Sequence, residues 1–474
     1  MKNSSSNSAL TRVHSLLDAN SFVEIGAGIT ARSTDFHLYE EETPADGVLT
    51  GYGLINDALV YIYSQDASVL GGAIGEMHSR KITNLYNMAL KMGAPIIGII
   101  DCSGLRLHES TDALNGLGTI YQKQAFASGV IPQITLVMGD CGGGVSVIPA
   151  LSDFTFVEEK KGHLFLQSPN TIPANTKETC DTASAEWKSK YTQSIDFCGT
   201  EDEIYAEVRR FIGILPANNR FSIMQEPCAD DLNRICEGIE NASSDAALVL
   251  SIIADNYDFI ETKKETAREM VTGFLKLDGM TIGCVANRQN VTDSEETFPA
   301  VLTADGANKA ASFIKFCDAF HIPVLTLSNV TGFESSFESE IHTPAACAAL
   351  ASAYASATIP KVTLITECAM GSAGTIMGSK SLGIDLVYAF DSATIGSMDG
   401  THAVKILHEG ESASFIRQKA VEYDHLYNSA ASAASRGYVD MIIRPQDTRK
   451  YLISAFEMLA TKQESVKYKK HLSI

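Results

Sequence analysis

The sequence predicts an α/β protein built as two copies of one domain, and three observations carry that prediction. First, IPQITLV at residue 131 returns as IPKVTLI at residue 359. The pairs Lys81/Lys309, Pro95/Pro323, Gly104/Gly332, Pro132/Pro360 and Gly143/Gly371 all share one offset, 228 residues. A period near half the chain is too long for a solenoid or propeller and means a duplicated domain. Second, strand-like runs alternate with segments of helical periodicity. Third, runs such as PIIGIID (95–101) and PQITLVM (132–138) are almost continuously apolar, as parallel strands covered on both faces are.

In chain order, residues 49–66 (LTGYGLINDALVYIYSQD) read as two strands around a turn at Asn56–Asp57. Ile82, Leu85, Met88, Ala89 and Met92 fall at helical spacing. The strand 95–101 follows, then a helix over 112–128, the strand 132–138, the run GDCGGG and a helix from about Gly143. Residues 215–231 break the pattern with Pro216, Pro227 and several Asn and Asp residues, which puts a domain boundary there: 1–225 and 226–474. The second copy repeats the order. Residues 271–287 resemble 49–66 at an offset of 222, so about six residues were gained or lost before the offset settles at 228. A helix from about Lys309, the strand IPVLTLSNVTG, an Ala-rich helix at 345–357 and PKVTLITECAMGSAG follow. The Ala-rich helix suits either a close subunit contact or an ordinary buried position.

A length of 474 residues accommodates two domains, each with its own core. The formal charge of −20 argues against nucleic acid or an anionic membrane as partner. No run approaches a membrane span and the first ten residues lack the apolar core of a signal peptide. Ten cysteines without a CxxC pair read as reduced thiols of a cytoplasmic protein with no zinc or other metal site.

The chemistry points to the two glycine steps, Gly142-Gly143-Gly144 and Gly371-Ser372-Ala373. A small residue at a strand end lets the backbone approach a ligand closely. If a helix starts there, its first N–H groups are unpaired and can stabilise a developing oxyanion. Either step alone is equally explained by a tight turn or close packing; recurrence in equivalent contexts favours the oxyanion reading. HExxH, GxSxG and Walker-type loops are absent. GGAIG at 71–75 is not a dinucleotide fingerprint, and the helix signal after it is weak. His108 and Glu109 are candidate acid–base groups or simply solvated. Arg106 either holds a phosphate or carboxylate of a substrate or pairs with Glu109 or Asp112. ALKM at 89–92 is not a biotin attachment site, because it falls on a helix rather than a hairpin.

DGVLTGYG (46–53), YSQDASVLGGAIGEMHSRKI (63–82), ASGVIPQITLVMGDCGGG (127–144), LTADGANKAASFIKFCDAFHIPVL (302–325) and GYVDMIIRP (437–445) together resemble the carboxyltransferase subunits of biotin-dependent acyl-CoA carboxylases and decarboxylases. That resemblance implies two crotonase-like domains of β-β-α superhelix type, the first on the acyl-CoA side and the second on the biotin side. It implies that Gly143 and Gly144 hold the thioester carbonyl oxygen as its enolate forms, and that Ser372 and Ala373, beside Gly371, hold the ureido oxygen of carboxybiotin. Gly104, Leu105, Arg106 and Gly142 then line the acyl-CoA side. The cofactor is biotin carried on another chain. The partners are an acyl-CoA, a biotin carrier, a biotin carboxylase or a membrane decarboxylase subunit, and further copies of the chain, as a dimer or trimer of dimers. In the family, the reacting pair of domains comes from different subunits. The chain departs from the family's DSGGAR in reading DCSGLR at 101–106, where the larger Leu105 is expected to narrow the CoA channel. Its Gly-Ser-Ala second step is nearer to the decarboxylases, and the basic N-terminal arm of many members is reduced to Lys2 and Arg12. The competing expectations are a biotin-independent crotonase-type thioester decarboxylase or hydrolase, and a non-catalytic assembly subunit.

Overall fold

A computed structural model describes residues 8–32, 41–173, 175, 181–220, 225–292 and 294–464. The chain divides into two compact units, Met1–Ser222 and Ile223–Ile474, a division three residues earlier than the one read from the sequence.

In the first unit eight strands form one sheet: β1 (Val23–Glu24), β2 (Val48–Ile55), β3 (Ala58–Gln65), β4 (Ile96–Cys102), β5 (Gln133–Gly142), β6 (Phe154–Glu158), β7 (His163–Phe165) and β8 (Phe197–Gly199). The order is β1-β2-β3-β4-β5-β6-β8, with β7 paired to β5. β2 and β3 form an antiparallel hairpin whose Asn56 and Asp57 both have positive φ, 51° and 63°. Such dihedrals match the twist of a tight two-residue hairpin. From β3 onward the pairing is parallel. Helices Glu76–Met92 and Ser110–Ala127 supply the crossovers. Ile82, Leu85 and Ala89 of the first and Leu117 and Ile120 of the second are buried against Ile96, Ile100 and Val137 of the sheet. The helix Glu76–Met92 begins directly after Gly75, where the sequence signal is weak, because its first turn is polar and its apolar period starts only at Ile82. The ALKM run closes that helix, as its periodicity requires.

The second unit repeats this plan with β9 (Phe259–Thr262), β10 (Met270–Leu277), β11 (Met280–Asn287), β12 (Val301–Leu302), β13 (Val324–Val330), β14 (Gly332–Phe333), β15 (Lys361–Met370), β16 (Leu386–Phe390), β17 (Thr394–Gly396) and β18 (Met441–Ile443). Its main sheet runs β18-β16-β15-β13-β11-β10-β9, with β17 on β15. Strands β5 and β15 keep the 228-residue offset at both ends. The register of β4 on β5 shifts between Ile100 and Cys102, and that of β13 on β15 between Ser328 and Val330, so even the bulge is duplicated. The Ala-rich segment lies in helix Phe337–Ser356, which buries Ala346, Ala349, Leu350, Ala353 and Tyr354 within its own unit and leaves Ile341, Ala345 and Ala348 exposed on its other face.

The shared lysine explains a matched turn. Lys81 Nζ donates to the carbonyls of Ala45 (2.8 Å) and Val48, and Lys309 Nζ to those of Lys263 (2.8 Å), Thr266 (2.9 Å) and Ala267 (3.4 Å). Ala45 and Ala267 are both left-handed, with φ of 51° and 45°. An alanine is strained there, and the buried ammonium satisfies the carbonyls that the turn leaves unpaired. Burial pushes Lys81 down to about 8 and Lys309 to about 7.

Candidate active site

Strand β5 changes neighbours along its length. Ile134–Val137 pair with β6, whereas Asp140–Gly142 pair with β7. The chain therefore leaves the main sheet as it reaches the glycine step. Gly142 is extended, Gly143 is left-handed at φ +59°, and a 3₁₀ turn, Gly143–Ser146, leads into the five-residue helix Val147–Leu151. A Cβ at Gly142 would lie 2.8 Å from the Phe165 ring and 3.0 Å from the Ser103 carbonyl oxygen, so packing requires that glycine, whereas one at Gly144 would meet the movable end of Leu117 at 2.9 Å. At Gly143 a Cβ would meet nothing within 4 Å; the requirement there is the dihedral angle. No side chain caps the turn, and the first N–H groups of a helical turn have no intrahelical acceptor. The helix is too short for a macrodipole of any size, so what the turn offers is the N–H groups themselves. Gly104 sits alongside, its Cβ position 3.7 Å from the Gly142 carbonyl oxygen.

The second unit carries the same device. Strand β15 pairs first with β16 and then, at Cys368–Met370, with β17. Gly371 is left-handed at φ +61°, and helix Gly371–Ile376 follows without a side-chain cap. Ser372 is exposed and Ala373 buried. Beside this step lies a cavity of about 610 Å³, lined among others by Gly371, Ser372, Ile365, Ile395, Tyr423 and Tyr427. Neither tyrosine was singled out by the sequence, since both come from helix Ala413–Tyr427, some fifty residues beyond the step.

Arg106 differs from the substrate-binding expectation. Its guanidinium is buried and spent inside the unit: Nη1 lies 2.6 Å from Asp46 Oδ1 and 2.7 Å from Glu109 Oε1, and Nη2 donates to the Ala73 carbonyl at 3.1 Å. Glu109 was one of the two pairing partners considered; Asp46 was not, being sixty residues away in sequence. Burial pushes the Asp46 carboxyl up against the pull of Arg106. Behind it, burial and Arg106 push His78 down to about 3, so its ring is neutral between the Asp46 carbonyl and the Gln65 amide. Glu109 also accepts from the backbone N–H of Glu76, the first residue of the helix after GGAIG. A carboxylate of the chain itself thus occupies the helix start where a phosphate would bind. Glu109 is buried and neither solvated nor free to act as a base, whereas His108 is exposed on a short 3₁₀ turn. Leu105 bridges to Ile74 and packs half-buried on the core. Arg12, the described member of the reduced basic arm, pairs with Asp101 at 2.8 Å and so is not available to a phosphate. The first unit thus brings Gly104, Gly142, Gly143 and Gly144 together and withholds the Arg106 charge from them.

Sequence reasoning passed over the hydroxyls of these steps. Tyr121 donates to the Gly144 carbonyl at 2.5 Å, Ser146 to the Gly143 carbonyl at 2.8 Å and Thr375 to the Gly371 carbonyl at 3.3 Å. The nine described cysteines are free thiols, and those of Cys102, Cys141, Cys284 and Cys317 are pushed up by burial. Among the described residues no cluster of three or more His, Cys, Asp or Glu suits a metal ion, and no helix is long and apolar enough to cross a membrane.

Residues 3–474 match the carboxyl transferase domain family. The propionyl-CoA carboxylase beta chain of Roseobacter denitrificans is 38% identical over 480 residues, which span 98% of this chain and 93% of that one. The methylmalonyl-CoA decarboxylase subunit alpha of Propionigenium modestum is 36% identical over 484 residues, spanning 98% and 92%. The crystal structure of transcarboxylase 12S, a hexamer described with hydrolysed methylmalonyl-CoA bound, superposes with a TM-score of 0.91 at 33% identity, covering 98% of this chain and 91% of that one. With two crotonase-like units and this similarity along its length, the chain belongs to the carboxyl transferase family and is a carboxyltransferase subunit of the biotin-dependent acyl-CoA carboxylases and decarboxylases.

Proposed function

We propose that this subunit moves a carboxyl group between an acyl-CoA and a biotin carried by another chain, with one glycine step for each reactant. The observation that supports this most directly is the recurrence of an uncapped turn behind a left-handed glycine, at φ +59° and +61°, 228 residues apart. In the first unit, the N–H groups of Gly143 and Gly144 accept the charge that builds on a thioester oxygen as its enolate forms. Gly104 and Gly142 leave the backbone bare beside them, and Arg106 shapes the loop that carries Gly104 and Leu105 without touching substrate. In the second unit, the N–H groups of Ser372 and Ala373 hold a ureido oxygen. Each such donor contributes about 2.7–4 kcal/mol to a developing oxyanion.

The cavity beside Gly371 fits biotin in kind: about 610 Å³, aliphatic and aromatic on Ile365, Ile395, Tyr423 and Tyr427, and open to the Ser372 turn. Biotin, when bound, supplies a urea nitrogen that carries the carboxyl group and can exchange it for the substrate's α-proton. A side-chain base is then unnecessary, which agrees with Glu109 being spent on Arg106 and Glu76. The implied partners are a biotin carrier, further copies of the chain, and either a biotin carboxylase or a membrane decarboxylase subunit. The relatives include enzymes of both directions. The Gly-Ser-Ala step inclines this chain towards decarboxylation.

The test is release of acyl-CoA from malonyl-CoA and methylmalonyl-CoA by the purified chain, with and without free biotin. Turnover that requires biotin is expected. Equal turnover without biotin overturns the two-step reading in favour of a thioester decarboxylase or hydrolase working from the first unit alone.

A further inference from the structure

Each glycine step has a hydroxyl reaching back to the same peptide. Ser146 Oγ donates to the Gly143 carbonyl at 2.8 Å, and Thr375 Oγ1 donates to the Gly371 carbonyl at 3.3 Å. The peptide that contains the Gly143 carbonyl also contains the Gly144 N–H, and the one that contains the Gly371 carbonyl contains the Ser372 N–H. A trans peptide is planar, so its carbonyl and N–H point in opposite directions and cannot be turned separately. Holding the carbonyl therefore aims the N–H. A hydrogen bond accepted by the carbonyl also polarises the N–H across the same amide and makes it a better donor.

The conformation makes such an anchor useful. Gly143 and Gly371 stand at φ +59° and +61°. Glycine has several backbone wells of similar energy, and the hydroxyl adds a second hold on a carbonyl that, as the first of a helical turn, also faces the backbone N–H of the same serine or threonine. We infer that Ser146 and Thr375 are positioning residues that fix the direction of the Gly144 and Ser372 N–H groups, an inference that rests on the two-step carboxyl transfer proposed for this subunit. Serine and threonine often bond to a carbonyl three or four residues back without any such role. Two features set these apart. Both choose the carbonyl of the left-handed glycine although the spacing differs, three residues in the first unit and four in the second. In the first unit the next carbonyl along, that of Gly144, is itself held by Tyr121 at 2.5 Å, so two consecutive peptides of the turn are fixed from behind. Ser146 is half-buried, whereas Thr375 is exposed at the edge of the cavity, and the longer bond is the exposed one. The first anchor is therefore the stronger.

The experiment compares the full-length wild-type chain with Ser146→Ala, Ser146→Thr, Thr375→Val and Thr375→Ser, using methylmalonyl-CoA and free biotin. Charge on the oxyanion exists in the transition state and not in bound substrate, so kcat falls while KM stays. Ser146→Ala is expected to lower kcat about five- to tenfold, with KM for the acyl-CoA within about twofold. Thr375→Val is expected to lower it less, and the two hydroxyl-preserving variants restore it. Ser146→Cys, which keeps the volume but donates weakly, is read in the same way if Ser146→Ala does not fold. A folded Ser146→Ala with unchanged kcat overturns the inference alone, as does a loss that appears in KM or that Ser146→Thr does not repair. A wild-type chain without biotin-dependent turnover overturns the underlying reading, and this inference with it.

Discussion

Replacing Arg106 by methionine tests whether its charge serves the fold or the substrate. The side chain is 1% exposed, those of Asp46 and Glu109 are 0% and 4% exposed, and both ion pairs are shorter than 3 Å. Methionine keeps most of the volume but leaves two carboxylates facing each other without a cation, and the Ala73 carbonyl without its donor. Removing one partner of a buried pair costs about 3–5 kcal/mol. Here the backbone N–H of His78 still serves Asp46 and that of Glu76 still serves Glu109, which puts the expected loss near the lower end, about 3 kcal/mol. The pH dependence has a definite sign. The folded Asp46 carboxyl already sits above its ordinary value, and without the guanidinium it rises further. A carboxyl with a raised folded pKa binds a proton that the unfolded chain has released, so stability falls as pH climbs from the ordinary carboxylate value through the folded one. The deficit of Arg106→Met against wild type is therefore smallest in acid and grows towards neutrality. Urea denaturation followed by circular dichroism between about pH 5 and pH 8 measures it, and adding Asp46→Asn should recover part of the loss. A deficit below about 1 kcal/mol at neutral pH, or one that shrinks as pH rises, refutes the reasoning and returns Arg106 to the substrate.

Three further outcomes are expected. Ser372→Pro removes one donor at a first-turn position that tolerates proline, so turnover should drop about 10²–10³-fold with the melting temperature little changed; undiminished turnover in the folded variant would mean the second step is idle. Gly143→Ala has room for its methyl group but not the dihedral angle. It should cost about 1 kcal/mol of stability in denaturation and proportionally far more activity, and an active Gly143→Ala would remove the first step from the mechanism. Lys309 is fully buried and depressed to about 7 by burial. Between that value and its ordinary one the unfolded chain binds the extra proton, so wild-type stability should rise with pH over that window; Lys309→Met should flatten the rise, and equal slopes in the two proteins would show that Lys309 stays charged in the fold.

How much of this was legible varied with the range over which each feature is encoded. The doubled glycine steps could be read because a left-handed residue after a buried strand restricts local sequence, and Gly143 and Gly371 carry that restriction at one offset. The hairpin at Asn56–Asp57 was legible for the same reason. The helix after Gly75 was hard to see because the residues it buries in its first turn, His78 and Ser79, are polar and its start is held by Glu109, so its opening residues carry no apolar period. Asp46 was out of reach: it meets Arg106 only because β2 and β4 are arranged by the fold. The hydroxyls of Tyr121, Ser146 and Thr375 leave no sequence signal, since such residues occur throughout the chain and only backbone geometry distinguishes these three. The cavity beside Ser372 is completed by a helix far along the chain, which no local pattern announces.

The register shifts at Ile100/Cys102 and at Ser328/Val330 have a consequence for descent. At each shift β4 or β13 advances two residues while β5 or β15 advances four, so the longer strand takes two additional residues and is re-aimed beyond them. Two separate insertions at the same place in both halves are far less economical than one insertion copied once. The bend, and with it the left-handed glycine it delivers to the strand end, is therefore older than the doubling of the chain. On the proposed division of labour, the assignment of one half to a thioester and the other to a urea came after that doubling, in differences as small as Gly144 against Ser372.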